Sequence, residues 1–271
     1  MSKITIIGGD KRLIKAKSLL EEKGYIVDSI GLCENDDGNA ETSDILLFPV
    51  PTTKDGELVY CTNTNRKIYL KDFFKYDNKL FLTARYKFLK KRSIDYCEYD
   101  YYSVLNAVPT AEGAIAYAIN KTDFTLFKSR VLVIGYGRTG KVLTERLSGF
   151  KCDLTVSARK ESDFAQIEAL NYKYIHTYDL IDGENTPNFD IIFNTVDIFT
   201  YNVSPEKLRN TLFIDLSSSG GIKADLIEKY KINYHKLPAL PGKTAPDTAG
   251  EILARTVMNI IKGEYQWKIL L

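Results

Sequence analysis

The stretch Arg130-Val131-Leu132-Val133-Ile134-Gly135-Tyr136-Gly137-Arg138-Thr139-Gly140-Lys141-Val142-Leu143 constrains this chain more than any other. Val131 to Ile134 is continuously aliphatic, as expected of a strand buried on both faces of a parallel sheet. The run breaks into three spaced glycines and resumes with helical spacing. Gly135 allows a tight turn, Gly137 lets backbone amides approach a pyrophosphate, and Gly140 permits close packing of the following helix. That helix points its positive end at the phosphates. Strand, loop and helix in this order mark a dinucleotide-binding turn, with a purely structural glycine turn as the alternative.

The next strand, Leu154 to Ser157, bears on which cofactor is held. An NAD-specific site carries an acid about 20 residues beyond the glycines to hold the ribose hydroxyls. Here the tip reads Ser157-Ala158-Arg159-Lys160, with no acid and with a hydroxyl and two cations suited to a 2′-phosphate. NADP(H) is therefore expected, unless Arg159 and Lys160 merely open a solvated helix. The buried strand Ile191 to Thr195 leads to Thr195 and Val196, expected along the cofactor together with Tyr136, Arg138, Thr139, Leu216 and Pro238. The strand Leu212 to Leu216 runs into Ser217-Ser218-Ser219-Gly220-Gly221, a small polar loop on the same edge. Ser218, Ser219 and Gly220 are expected to line the nicotinamide side and contact substrate.

At 271 residues the chain has the length of two domains, taking about 150 residues for each. Hydrophobic residues at 44% and charged residues at 27% are ordinary for a globular protein, and no apolar run approaches a membrane span. The N-terminus enters a strand pattern without the features of a signal peptide, so a cytoplasmic protein is expected. Cys33, Cys61, Cys97 and Cys152 are widely separated and suggest neither zinc nor redox chemistry. A net charge of +2, with bases spread throughout, gives no footprint for nucleic acid and favours a small-molecule partner. His176 and His235, the two histidines, are too distant in sequence to suggest a metal pair, and no metal is expected.

The first half also alternates strands and helices. Lys3 to Ile7 is a strand ended by Gly8-Gly9-Asp10, and Lys11 to Lys23 a helix. Tyr25 to Ile30 and Ile45 to Val50 are further strands. The turn Pro49-Val50-Pro51-Thr52-Thr53 lies at the carboxyl end of the third strand, where open α/β sheets bind ligands. Leu80 to Thr83 reads as a strand, Tyr86 to Lys91 as a short basic helix and Ile94 to Tyr99 as another strand. The tyrosines from Tyr96 to Tyr102 read as core or junction packing, with a stacking platform for a planar ligand as the alternative. Pro109 precedes the helical stretch Thr110 to Asn120. There Thr110 and Glu112 either cap the helix or project into a cleft between domains. The expected architecture is α/β, with two Rossmann-like domains, doubly wound parallel sheets, a cleft between them and a C-terminal helix returning to the first. Residues 1–106 would form the substrate domain, with a helix at about 247–271 packing back on it, and residues 107–246 the NADP-binding domain. The final helix is expected over roughly Pro246 to Ile261, followed by an apolar tail from Gly263 that could dock on a second copy of the chain.

Four landmarks resemble the A subunit of dipicolinate synthase, a family of spore-forming bacteria. They are Ile6-Ile7-Gly8-Gly9-Asp10-Lys11-Arg12, Asn106-Ala107-Val108-Pro109-Thr110-Ala111-Glu112-Gly113, the glycine loop with Arg138-Thr139, and Leu240-Pro241-Gly242-Lys243-Thr244-Ala245-Pro246-Asp247-Thr248-Ala249-Gly250. The resemblance implies oxidation of dihydrodipicolinate to dipicolinate with NADP+, in the mother-cell cytoplasm, together with a flavoprotein-like B subunit, and a homo-oligomer is expected. A substrate with two carboxylates needs counter-charges, and Arg12 and Lys243 are the leading candidates. Thr52, Thr53 and Thr110 offer hydroxyls, Gly9, Asp10 and Pro51 lie on the same substrate side, and Glu112 is a candidate proton acceptor or partner for a cation. The chain departs from the family where Ser218-Ser219 replaces an Arg-Pro pair, and the span around Arg85 matches poorly. The alternatives are an alanine-dehydrogenase-like enzyme and a non-catalytic nucleotide-binding or scaffolding subunit.

Overall fold

One mainly aliphatic run near the head of each half, Ile4 to Ile7 and Val131 to Ile134, seeds a separate parallel sheet. The computed structural model describes residues 2–89, 91–182, 188–197 and 208–269. By internal contacts the chain divides into one unit of residues 1–106 with 241–271 and a second of residues 107–240.

The first unit carries β1 (Lys3–Ile7), α1 (Lys11–Glu22), β2 (Ile26–Ile30), β3 (Ile45–Leu47), β4 (Leu80–Thr83) and β5 (Arg92–Asp95), followed by α2 (Asp100–Leu105). The strands are parallel in the order β2-β1-β3-β4-β5. This doubly wound order reverses direction between β1 and β3, which makes the carboxyl ends of those two strands the ligand edge. Where a helix is expected over Tyr86 to Lys91, the described residues Tyr86 to Leu89 and Lys91 are not helical. Phe88 is drawn instead into an aromatic cluster, with ring centroids 4.7 Å from Phe81 and 5.2 Å from Phe48, which holds the connection to β5 close to the sheet. The last strand also begins and ends earlier than its sequence suggests. Asp95 ends it by accepting from the Cys97 amide, and Tyr96–Glu98 turns as a 3-10 helix. Tyr96 and Tyr102 are core residues packed edge to face at 5.3 Å, and the Tyr96 hydroxyl donates to the Phe48 carbonyl.

The second unit contains α3 (Ala107–Lys121), β6 (Arg130–Ile134), α4 (Arg138–Gly149), β7 (Asp153–Ala158), α5 (Glu161–Ala169), β8 (Lys173–His176), α6 (Thr177–Asp182), β9 (Ile191–Asn194), β10 (Leu212–Asp215), α7 (Ala224–Tyr230) and β11 (Tyr234–Lys236). Its parallel sheet has the order β11-β10-β9-β6-β7-β8. Counted within the unit this is 6-5-4-1-2-3, the dinucleotide-binding order, with its switch point between β6 and β9. The helix α3 begins at Ala107, earlier than Pro109 suggests, because a proline is tolerated in the first turn, where its missing amide leaves no bond unmade.

Next in the chain comes α8 (Leu240–Thr244), a single turn where the sequence suggested a proline-directed loop. It is followed by α9 (Pro246–Ile269), so the backbone of the expected apolar tail continues the helix. Ile252, Leu253, Val257, Ile260 and Ile261 join Leu13, Ala16 and Leu20 in one core. Gly250 makes this approach possible: a Cβ there would stand 2.5 Å from the Arg12 carbonyl oxygen. No helix among the described residues is long and apolar enough to cross a membrane.

Candidate functional site

The three glycines after β6 serve three different ends. Gly135 has φ +95°, and a Cβ on it would press within 2.5 Å of Val196 Cγ1 and 2.7 Å of Thr195 Oγ1. At Gly140 a Cβ would lie 1.9 Å from the Gly135 carbonyl oxygen, so the helix can approach its own strand only without a side chain. Gly137 differs from both. Its φ of −78° suits any residue, and a Cβ there would meet nothing within 4 Å. Neither conformation nor packing inside the chain calls for glycine at this point. What it leaves is room in front of the N-terminus of α4, which has no side-chain cap. Room before an uncapped helix start fits a pyrophosphate. The remaining loop residues frame that space: Tyr136 is buried under the Lys141 ammonium, Arg138 is exposed and Thr139 is half-buried.

The register of β6 on β7 pairs Ile134 with Ser157 and so sets the tip Ser157-Lys160 beside the glycine turn. Here one expectation is corrected. Ser157 is fully buried, its hydroxyl 3.2 Å from that of Thr177 and 3.4 Å from the Gly135 amide. It braces the turn from beneath and offers nothing outward. Ala158 is buried as well, and its carbonyl accepts from Thr177. Arg159 and Lys160 are exposed, and no ion pair or hydrogen bond engages either side chain among the described residues.

Across the switch point, Thr195 donates to the Ile134 carbonyl and Val196 packs on Gly135. Leu216 is half-buried and Pro238 exposed. Beside them lies a cluster that sequence reading missed. Asp215, the last residue of β10, is fully buried. Its Oδ1 accepts from Asn194 Nδ2 at 3.0 Å and the Ser217 amide at 2.8 Å. Its Oδ2 accepts from the Gly221 amide at 2.6 Å and from the Tyr234 hydroxyl. Burial, and then the Asp215 bond, push the Tyr234 phenol well above its ordinary pKa. One carboxylate thus fixes both ends of the Ser217–Gly221 loop. The signal was present as an acid closing the apolar run Leu212-Phe213-Ile214, where a buried charge requires partners. Ser218 and Ser219 are exposed, but Ser219 donates its amide and hydroxyl to Asp197, and Gly220 donates its amide to Ser217 Oγ.

The ligand edge of the first unit is built differently. The Gly8-Gly9 turn is roofed by its own chain, since Gly9 donates to the Tyr60 carbonyl and accepts from the Thr62 amide. Its backbone is therefore spent, which corrects the expectation for Gly9. Asp10 caps α1 by accepting from the Arg12 amide, and Arg12 returns Nε and Nη2 to the same carboxylate. Nη2 also donates to the Val50 carbonyl at 2.6 Å, so Arg12 clamps the turn that runs through cis-Pro51. Burial works against the guanidinium charge, but Asp10 outweighs it and holds the pKa above its ordinary value. Thr52 is fully buried, accepting from the Ala84 amide, and Thr53 donates to Asp55. The Thr52 hydroxyl is enclosed, and the Thr53 hydroxyl braces its own turn, donating to Asp55 and accepting from the Gly56 amide. Gly242 lies against Arg12, where a Cβ would be 2.9 Å from Nε, and so brings exposed Lys243 to the same edge.

On α3, Glu112 is exposed and accepts from Arg146 of α4 at 3.3 Å, while Thr110 is half-buried. The Glu112 carboxylate thus pairs with a cation on the neighbouring helix. His235 bonds Tyr117 through Nδ1 and Asn233 through Nε2, which occupies both ring nitrogens. His176 stacks on Tyr178. No group of three or more potential metal ligands occurs among the described residues.

Residues 3–84 match the family model for the N-terminal domain of the dipicolinate synthase A subunit. The chain is 28% identical to the dipicolinate synthase A subunit of Bacillus subtilis (strain 168), over 96% of this chain and 95% of that one. The crystal structure of the dipicolinate synthase A chain from Bacillus subtilis superposes with a TM-score of 0.85 at 27% identity, covering 98% of this chain and 97% of that one. D-lactate dehydrogenase of Escherichia coli, at 13% identity and a TM-score of 0.53 over 97% of each chain, shares the fold alone. Over nearly its whole length, then, this chain is similar to the dipicolinate synthase A subunit, the family that its four sequence landmarks resemble.

Proposed function

We propose that the chain is the A subunit of a dipicolinate synthase and oxidises dihydrodipicolinate to dipicolinate with NADP+. The observation that carries this reading is the space before the uncapped start of α4, at the switch point of a chain similar throughout to that family. Bound there, NADP+ would supply a hydride acceptor, and the ring would lose a hydride and a proton as it becomes aromatic. Because aromatisation is downhill, the protein's work is to bind and orient.

In the second unit, Gly135, Gly137, Gly140 and the amides of α4 would hold the pyrophosphate, and Thr195 and Val196 support that turn. Arg159 and Lys160 would meet the 2′-phosphate as unpaired cations. In the first unit, Arg12 sets the Asp10 and Val50–Pro51 turns, and Lys243 is the exposed counter-charge for a substrate carboxylate. Thr110 supplies a hydroxyl, while Glu112 holds Arg146. On this reading the chain works with a B subunit, in the mother cell of a spore former.

Arg159→Ala should weaken NADP(H) binding by about tenfold and leave NAD(H) binding unchanged, as loss of one charge-assisted contact of about 1.4 kcal/mol. Titration of both nucleotides by fluorescence checks this, and an unaltered preference would remove Arg159 from the phosphate site. The reaction itself is tested by generating the unstable substrate in place from pyruvate and aspartate semialdehyde with its synthase. Dipicolinate should then form faster with this chain and NADP+ than without it, and a separate arm includes the B subunit. A yield at the spontaneous background in both arms, despite tight NADP(H) binding, would instead support a non-catalytic role.

A further inference from the structure

We propose that the Ser217–Ser219 loop is a carboxylate-binding subsite which Asp197 fills in the chain by itself, and from which a substrate carboxylate displaces it. The donors converge on one point. The Ser219 amide reaches Asp197 Oδ1 at 2.9 Å and the Ser219 hydroxyl reaches the same oxygen at 2.7 Å. The Ser219 donors, with further help from the Ser218 amide and the Ser217 hydroxyl, hold the Asp197 carboxyl below its usual pKa, so the occupant is an anion.

The loop does not depend on that occupant for its shape. Buried Asp215 holds the amides of Ser217 and Gly221, and Ser217 Oγ accepts from the Gly220 amide. Gly220, with φ +107°, completes the turn. Donors kept in place by an internal frame stay preorganised when the anion they face is exchanged. Two further features identify the ligand as an anion that arrives from solvent. Asp197 and Ser219 are both exposed, so the exchange needs no opening of the core. Lys236 donates to the Ser218 carbonyl at 2.8 Å, and its ammonium stands over the loop near Gly220. Carboxylate replaces carboxylate, and the amides keep an acceptor throughout, which avoids the cost of leaving them bare. Asp197 therefore acts as an internal competitor that lowers affinity in proportion to its occupancy.

The identity of the ligand rests on the function proposed above, and the test separates the two. Dipicolinate binding in the presence of NADP(H) is measured by calorimetry for the full chain and for Asp197→Ala, with picolinate as a one-carboxylate control and thermal melting as the check on folding. Asp197→Ala should bind dipicolinate about fivefold more tightly, because no internal anion has to leave. Adding Ser219→Ala to that variant should weaken binding by about tenfold, the loss of a hydrogen bond to a charged group. Asp197→Asn, which keeps an acceptor but no charge, should fall between the full chain and Asp197→Ala and serves in its place if the alanine variant does not fold. Equal or weaker dipicolinate binding by a folded Asp197 variant would overturn the subsite while leaving the proposed function standing. If no chain bound dipicolinate but all bound NADP(H), both would fall.

Discussion

Gly137→Ala should yield a folded protein with an unchanged melting temperature that binds NADP(H) about 100-fold more weakly, a loss of about 2.7 kcal/mol. The added methyl meets nothing of the chain within 4 Å, so folding has no reason to suffer. It would instead stand in front of α4, where on the proposed reading a pyrophosphate approaches the helix amides. Gly140→Ala is the contrasting variant. Its Cβ would lie 1.9 Å from the Gly135 carbonyl oxygen, and the strand and helix would have to part. Destabilisation of about 3 kcal/mol is expected there, with nucleotide binding lost as a consequence. Thermal melts and fluorescence titrations of the two variants distinguish a glycine kept for a ligand from one kept for packing. Wild-type affinity in Gly137→Ala would refute the assignment of this turn to the cofactor.

Asp215→Ala should destabilise the protein by about 4 kcal/mol in urea unfolding, among the largest effects of any single substitution outside the hydrophobic core. Four donors converge on this carboxylate, and its removal strands the Tyr234 hydroxyl and two backbone amides, while Asn194 Nδ2 loses one of its acceptors and keeps the Val196 carbonyl. Tyr234→Phe removes only one of the four donors and should cost about 1–2 kcal/mol. Asp215→Asn should lie between the two, because an amide presents one oxygen where the carboxylate presents two. If Asp215→Ala unfolds at the same urea concentration as the unaltered chain, the network does not hold the loop.

What is legible in the sequence follows the range of the forces involved. Helix and strand identity in β6, α4 and β10 was legible because aliphatic runs and glycine spacing act within a few residues. The Tyr86–Lys91 segment misled because its fate depends on Phe88 packing against Phe48 and Phe81, contacts made across the sheet. The substrate-side residues divided in the same way. Thr52, Thr53 and Ser157 bear hydroxyls at the right strand ends, yet each hydroxyl is consumed by a neighbouring turn or core partner. Composition reveals a donor but not whether the fold has already used it.

By itself, then, the sequence determined that there are two parallel α/β sheets, where the glycine turn before α4 lies, and that the strand after it ends in cations instead of an acid. These follow from local periodicity, from backbone freedom at glycine and from side-chain charge, all of which are written in consecutive residues. The tertiary structure decided the rest. It roofed the Gly8-Gly9 turn with Tyr60 and Thr62 while leaving space at Gly137, although both are glycine turns between a strand and a helix. It also gathered Asn194, Asp215 and Tyr234, which stand on three different strands, around one buried charge. Such outcomes depend on strand order and register, which join residues far apart in sequence, so no window of the chain contains them.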